Sequence, residues 1–259
     1  MQISIFDTIP IHTPNRKNII YEPTGRALEY SPLAANLYQG CAHACTYCFG
    51  PANARKTREE FHNPDYIKPR EDILYHLEKD AKGYAGDTRP ILLSFITDPY
   101  QPLEKDMNIT REALKILMAN DLTVTILTKG GTWGLLRDKD LLQMNPANSW
   151  AVSLTCSNPE VSNKLEPFAA PPEERIDSLK IAHELGINTW VSFEPVLYPK
   201  EVYRLLDKTY PFVDHYKVGK LNEHPHARTI NWKEFREEII YRLEKLGKSY
   251  YIKKDLLDA

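Results

Sequence analysis

Six times from about Pro32 onward, a strand-like apolar run is followed by an amphipathic helical run. A chain patterned this way folds as βαβ units around a parallel sheet, because each helix returns the chain to begin the next strand in the same direction. The strands expected are Ala34–Gln39, Pro90–Ile96, Leu122–Thr128, Trp150–Thr155, Asn188–Phe193 and Val213–Val218. The helices between and after them run from about Glu71 to Tyr84, Thr110 to Ala119, Leu135 to Met144, Glu173 to Leu185, Lys200 to Lys208 and Trp232 to Leu246. Gly186 and Gly247 stop two of these, and Asn231 is placed to cap the last. Six units fall short of a closed eightfold barrel. The expected fold is therefore α/β, a partial (β/α)6 TIM-like barrel with an irregular N-terminal segment and a C-terminal helical extension. At 259 residues, with no shift of composition along it, the chain is read as one domain. Its core spans about 33–222, with a C-terminal helix and tail over 223–259.

Chemistry in β/α barrels gathers at the C-terminal ends of the strands. Those ends carry, in order, a cysteine loop, Thr97-Asp98-Pro99-Tyr100, Lys129, Ser153 and Thr155, Glu194, and Lys217 to Asn222. Alternation along each strand sorts the residues onto two faces. Val124 and Ile126 oppose Thr125 and Lys129; Trp150, Val152 and Leu154 oppose Ser153 and Thr155; Ser192 shares a face with Glu194, and Ser94 with Asp98. If the apolar face packs on the helices, the lumen is polar enough to receive a large polar ligand.

Lys and Arg total 33 against 35 Asp and Glu, a formal net charge of −2, which excludes a large nonspecific basic surface. A local groove stays open: Arg55, Lys56, Arg58, Lys68 and Arg70 cluster after the cysteines, interleaved with Glu59, Glu60, Asp65, Glu71 and Asp72. The longest apolar runs are strand-sized, well short of the roughly 20 residues of a membrane helix, so no membrane association is expected. The first 18 residues show no export signal, and a cytoplasmic location is expected.

Cys41-Ala-His-Ala-Cys45-Thr-Tyr-Cys48 sets three thiols in eight residues, with the fourth, Cys156, far downstream. That spacing suits metal ligation better than a disulfide framework. Thiolates hold iron–sulfur clusters, and a four-iron cubane takes four ligands, so three cysteines leave one iron open. The alternative is a zinc-stabilised binding module without catalysis, the three cysteines joined by His43 or Cys156.

The CxxxCxxC spacing, with an aromatic before the last cysteine and on the loop after the first strand, resembles the radical S-adenosylmethionine (SAM) superfamily. Asn36-Leu-Tyr-Gln-Gly-Cys41, Thr97-Asp-Pro-Tyr-Gln-Pro102, Thr128-Lys129, Arg137-Asp-Lys-Asp-Leu-Leu142 and Leu165-Glu-Pro167 are similar to its spore photoproduct lyase group, also termed DNA-repair-photolyase-like. The resemblance implies a 4Fe-4S cluster on Cys41, Cys45 and Cys48 whose open iron binds SAM. It further implies reductive cleavage of SAM to a 5′-deoxyadenosyl radical that takes hydrogen from a substrate, fed by an electron donor of flavodoxin or ferredoxin type. Tyr47 then matches a position near the adenine. Thr97 and Asp98 stand where many members carry Gly-Gly-Glu against the amino group of SAM. Lys129, Ser153 and Thr155 suit its carboxylate and ribose, and Glu194 either cofactor or substrate; Lys129 pairing with Asp98 or Glu194 is the structural alternative. The group's lyase returns hydrogen from a cysteine for which this chain has no counterpart between Cys48 and Cys156. Cys156 is left as the candidate hydrogen donor, although alternation sets it with Val152 and Leu154, facing the helices as a buried structural thiol. The substrate stays unidentified; a narrower reading makes it a nucleobase in DNA or RNA, with Tyr100, Trp133 or Tyr198 available to stack on it.

Overall fold

The computed structural model describes residues 18–222 and 224–259. Among these, the strands are β1 (Ile20–Tyr21), β2 (Leu33–Ala35), β3 (Tyr38–Gln39), β4 (Lys68–Pro69), β5 (Ile91–Leu93), β6 (Val124–Thr128), β7 (Ser149–Ser153), β8 (Asn188–Val196), β9 (His215–Lys220) and β10 (Ser249–Ile252). One sheet runs in the order β1-β2-β5-β6-β7-β8-β9-β10. Only β1 against β2 is antiparallel in it; β3 and β4 form a separate antiparallel pair. The barrel is open, with β1 and β10 at its edges.

The partial barrel is thus the fold, with two strands more in its sheet than the six the sequence predicted, β1 at one edge and β10 at the other. After the helix Trp232–Lys245, Gly247 takes a positive φ of 64° and the chain re-enters the sheet as β10, parallel to β9. Four residues, Ser-Tyr-Tyr-Ile, are too few to show a strand period. The first two predicted strands are shorter for one shared reason. Asn36 interrupts the ladder between them: its Oδ1 accepts the amides of Phe95 and Ile96, both at 3.0 Å, and its Nδ2 donates to the Tyr21 hydroxyl at 2.8 Å. Amides held by a side chain cannot pair with a neighbouring strand, so β2 stops at Ala35 and β5 at Leu93. Tyr38 and Gln39 then peel away to pair with Pro69 and Lys68.

Register fixes which residues share a face. Ala34, Leu92 and Thr125 align across the sheet, followed by Ser149, then Ala151 with Trp190, Ser153 with Ser192, and Lys217 with Tyr251. This is the lumen face, and it holds the small apolar cluster of Ala34, Leu92, Ala151 and Trp190 capped by Tyr30 and Phe95. The other face carries Leu33, Ile91, Val124, Ile126, Trp150, Val152, Val191, Phe193, Tyr216 and Val218 into the main core. Helices close over it because their apolar residues recur on one side, as in Ile109–Met118, where Ala113, Leu114, Leu117 and Met118 are buried.

The gap between the two edges is bridged by the segment Gly25–Ser31. Glu29 accepts the amide of Lys254 at 2.7 Å and the Tyr251 hydroxyl at 3.1 Å, while Arg26 pairs with Asp255 at 3.0 Å. Tyr30 reaches into the lumen, where its hydroxyl bonds Glu194 and Ser192. Glu194 also pairs with Lys253 at 2.9 Å, and Lys217 donates to the carbonyl of Tyr30. Burial and the neighbouring Lys253 charge pull Lys217 down to about 8. Buried charges of this kind are stable only as a complete set. Glu194→Gln should therefore destabilise the fold by about 3 kcal/mol, read as a lower urea midpoint; an unchanged midpoint would show that the seam does not depend on this latch.

Candidate functional site

The cysteine loop leaves β3 at Gly40, whose φ is 66° and where a Cβ would lie 2.8 Å from the Phe61 carbonyl oxygen, so only glycine fits. Distant side chains then pin the loop's backbone. Gln101, fully buried, accepts the Ala42 amide at 2.8 Å. Arg58 donates to the carbonyls of Cys45 at 2.7 Å and Cys48 at 3.3 Å. His62 donates through Nδ1 to the Cys41 carbonyl at 2.7 Å. The Thr46 amide bonds Leu165 O at 2.8 Å, laying the segment after β7 against the loop.

Asp98 ties this loop to the ends of β5 and β6. Its Oδ1 accepts from the Thr128 hydroxyl at 2.6 Å and the Tyr100 amide at 2.8 Å; its Oδ2 accepts the Lys129 amide at 2.7 Å and faces His43 Nδ1 at 3.3 Å. Burial alone would raise its pKa, but the His43 charge and these donors hold it at about 2. Both oxygens are committed, so Asp98 positions the loop. Behind it, Thr110 donates to the Pro99 carbonyl, and buried Glu104 binds the Tyr38 hydroxyl and Arg137, which pairs with Asp138 at 2.6 Å. The Arg137-Asp-Lys-Asp motif is thus a brace for the Thr97–Pro102 loop. Tyr100 belongs to the same brace. It is buried, bonds Asp138 at 2.9 Å and packs on Trp133 and Trp150, which removes it as a stacking platform.

A second buried knot escaped sequence reasoning. Asn158 caps the short helix Pro159–Leu165 by accepting the amides of Glu160 and Val161, and the helix ends at Glu166. Glu166 pairs with Arg175 at 2.6 Å, both buried, and takes hydrogen bonds from the Tyr47 hydroxyl and from Thr155 Oγ1 at 3.2 Å. Despite burial, the Arg175 and Lys129 charges hold Glu166 at about 2. Tyr47 of the cysteine loop and Thr155 are thereby fixed through one carboxylate. Leu165-Glu-Pro167 marks the spot in the sequence, but Arg175 lies on the next helix with no local signal.

Other groups remain uncommitted. Ser94 Oγ and Thr97 Oγ1, after β5, are buried without a hydrogen-bond partner. Lys129 forms no ion pair among the described residues; its ammonium lies 5.9 Å from the Tyr47 ring centre and its charge is felt by Cys45, Cys48 and Glu166. The structural alternative, Lys129 paired with Asp98 or Glu194, is therefore not formed: Asp98 takes only its amide, and Glu194 sits in the latch on the far strands. Ser153 lies on the lumen face opposite Ser192, its carbonyl held by Arg175. Cys156 faces outward, its thiol 3.4 Å from Glu201 of the helix Pro199–Thr209. Burial raises it to about 11. Of the remaining aromatics, Trp133 is half-buried and Tyr198 is 40% exposed beside His226.

The donor set fits an iron–sulfur cluster. Burial pushes the Cys45 thiol up to about 12 and Cys41 well above its usual range, the mutual repulsion of the cysteines adding to it. Cys48 is raised less, helped down by the Gly50 amide on its sulfur at 3.3 Å and by Lys129 and Arg58. Thiols in such a setting ionise only for a cation that compensates them. Among the described residues no three Cys, His, Asp or Glu side chains converge tightly enough for a single metal ion. Each cysteine of a cubane binds a different iron, so the three need not meet at one centre.

Residues 35–213 match the Radical SAM superfamily. An uncharacterized protein of Methanocaldococcus jannaschii is 32% identical over 201 residues, covering 72% of this chain and 69% of that protein. An uncharacterized protein of Mycobacterium tuberculosis is 30% identical over 205 residues, covering 74% of this chain and 57% of its own length, so the chain spans little more than half of that relative. Among solved structures, spore photoproduct lyase complexed with dinucleoside spore photoproduct aligns with a TM-score of 0.62 at 13% identity, over 86% of this chain and 76% of that one. SuiB of Streptococcus suis bound to S-adenosylmethionine gives 0.57 at 15% identity, over 85% and 46%. At those identities the structures speak for the fold alone. Joined to the sequence match, that shared barrel makes the chain a member of the radical SAM superfamily with a spore photoproduct lyase-like fold.

Proposed function

We propose that this protein reductively cleaves S-adenosylmethionine at a 4Fe-4S cluster held by Cys41, Cys45 and Cys48 and uses the product radical on a bound substrate. When bound, cluster and cofactor supply the electron and the 5′-deoxyadenosyl radical. The protein supplies orientation and exclusion of water. The observation that carries this reading is the set of unspent polar groups beside the cysteine loop: the Lys129 ammonium and the buried Ser94 and Thr97 hydroxyls. A buried hydroxyl without a partner costs about 1–3 kcal/mol, which a bound polar ligand would recover. Lys129 is suited to the carboxylate of the cofactor, Thr97 and Ser94 to its amino group and ribose, and Tyr47, fixed by Glu166, to the adenine. Asp98, Glu166 and Arg175 hold these groups in place without touching the cofactor.

For the substrate we infer a nucleobase of a single-stranded or unstacked nucleic acid. The support lies at the mouth beside β9, where Lys220, His224, Arg228 and Trp232 line a cavity of about 590 Å³. Lys220 lies 5.9 Å from the centre of the Trp232 ring, and neither Lys220 nor Arg228 forms an ion pair among the described residues. Tyr198 stands exposed at the end of the neighbouring strand. Two cations and flat rings are what a phosphate backbone and an unstacked base require.

Two measurements follow. Anaerobically reconstituted protein should release 5′-deoxyadenosine from SAM on reduction, and Cys45→Ala should release at least a hundredfold less; equal yields would exclude these cysteines as cluster ligands. A short single-stranded oligonucleotide should bind at low salt, and the double change Lys220→Ala and Arg228→Ala should flatten the salt dependence by about two phosphate contacts. Binding of the same strength and slope in both proteins would discard this cavity as the nucleic-acid site.

A further inference from the structure

The cavity beside β9 has a neighbour. A second cavity, of about 650 Å³, is bordered by the buried Cys156 thiol after β7 and by Leu197 and Tyr198 at the end of β8. Its volume is that of a small-molecule pocket, roughly 300–1,000 Å³. Because Cys156 faces away from the lumen, toward Glu201, this cavity lies on the outer side of the barrel rim.

The two cavities share their walls. One wall is the 3-10 helix Pro225–Thr229: Pro225, Ala227 and Arg228 border the first cavity, His226 and Thr229 the second. His226 pins this partition by donating through Nε2 to the Leu197 carbonyl at 2.9 Å, with its ring 5.3 Å from that of Tyr198. The other wall is the first turn of the helix Trp232–Lys245. Trp232 borders the first cavity and Phe235 the second, and their ring centres are 6.2 Å apart. With walls in contact, one strand can enter both cavities with bases that are successive and unstacked.

The lining suits an aromatic ring attached to a phosphate. Tyr203 is held between Phe235, at 5.8 Å between ring centres, and the Arg242 guanidinium at 4.6 Å, while Tyr198 stands exposed on the same cavity. Stacking on such rings accepts any base. Lys200 and Arg204 also border the cavity, four residues apart and so on one face of the helix Pro199–Thr209. Of the two acids in the lining, Glu201 is paired with Arg204 and accepts the Ser157 amide at 2.8 Å. Glu234 accepts from Asn231 Nδ2 at 3.0 Å and sits in the first turn of its helix, where the dipole offsets a carboxylate. Lys200 forms no ion pair among the described residues and lies in the first turn of its own helix, so its charge adds to the positive end of that dipole.

We propose that the second cavity is a subsite for the base adjoining the one received in the first, stacked on Tyr198 and Tyr203 with the connecting phosphate at Lys200. Lying outside the lumen, it holds a base in place without exposing it to the radical, and so sets which neighbour along the strand is presented for reaction. This subsite rests on the nucleic-acid reading of the first cavity, and the two are separable by experiment.

A short single-stranded oligonucleotide with 4-thiothymidine at one position, shifted residue by residue along the strand, is bound to the full chain and irradiated, and the adducts are located by mass spectrometry. Adducts at Trp232 from one position and at Tyr198 or Tyr203 from the next are expected. Adducts in the first cavity alone, whatever the position, overturn the second subsite and leave the first standing; adducts in neither cavity remove both. Tyr198→Ala should weaken the intact strand about tenfold and leave unchanged the affinity for a strand made abasic at the position that labels the second cavity. An equal loss on both strands overturns the subsite. So does a wild-type dimer that Tyr198→Ala dissolves, which would give the cavity to a second copy of the chain.

Discussion

Three thiols taken out of water on one short loop set the terms for everything around them. Left alone they repel one another as they ionise and lose hydration, and burial keeps their protons on. A backbone that presents them together must therefore be held by other parts of the chain. Gln101, Arg58, His62 and the Leu165 carbonyl each take one or two of its polar groups. Two of those anchors adjoin the buried knots: the Gln101 amide bonds the Asp98 carbonyl, and Leu165 precedes Glu166. The parallel barrel makes this economical: it brings the exits of β5, β6 and β7 to one rim, so residues 59 to 119 positions apart meet the loop directly.

The lumen divides by pairing. Beside the cysteine loop, Lys129, Ser94 and Thr97 are uncommitted. Across it, Glu194, Lys217, Lys253 and Tyr30 satisfy one another and close the seam of an open sheet. Ligand binding is favoured where polar groups lack partners, and rigidity where they are paired. The same residue types thus serve opposite ends, and only their pairing tells them apart.

How much of this could be read from the sequence follows from the range of the interactions. The faces of β6, β7 and β8 were legible because alternation is local: Thr125, Ser153 and Ser192 stand on the lumen side as expected. The cysteine loop was legible because its thiols fall within one turn of chain. Asn36 was not, since nothing in its neighbourhood says that its side chain will take the amides of Phe95 and Ile96 and end two strands at once. Tyr100 looked like a rim aromatic, but Asp98 turns the chain inward there and buries the ring on Trp150. Glu194 looked like a ligand for cofactor or substrate, while its partners Tyr30 and Lys253 come from the two ends of the described chain. β10 failed for want of length, and Arg175 because an ion pair across a loop leaves no periodic trace.

A loop that holds iron with one position left open for a sulfonium ligand has a metal content and a spectrum of its own. Metal and sulfide analysis of anaerobically reconstituted protein, followed by electron paramagnetic resonance of the reduced form with and without S-adenosylmethionine, addresses it directly. About four irons and four sulfides per chain and a spectrum that changes when the cofactor is added are expected. Stoichiometric zinc, or a reduced cluster whose signal ignores the cofactor, would contradict an open iron on this loop.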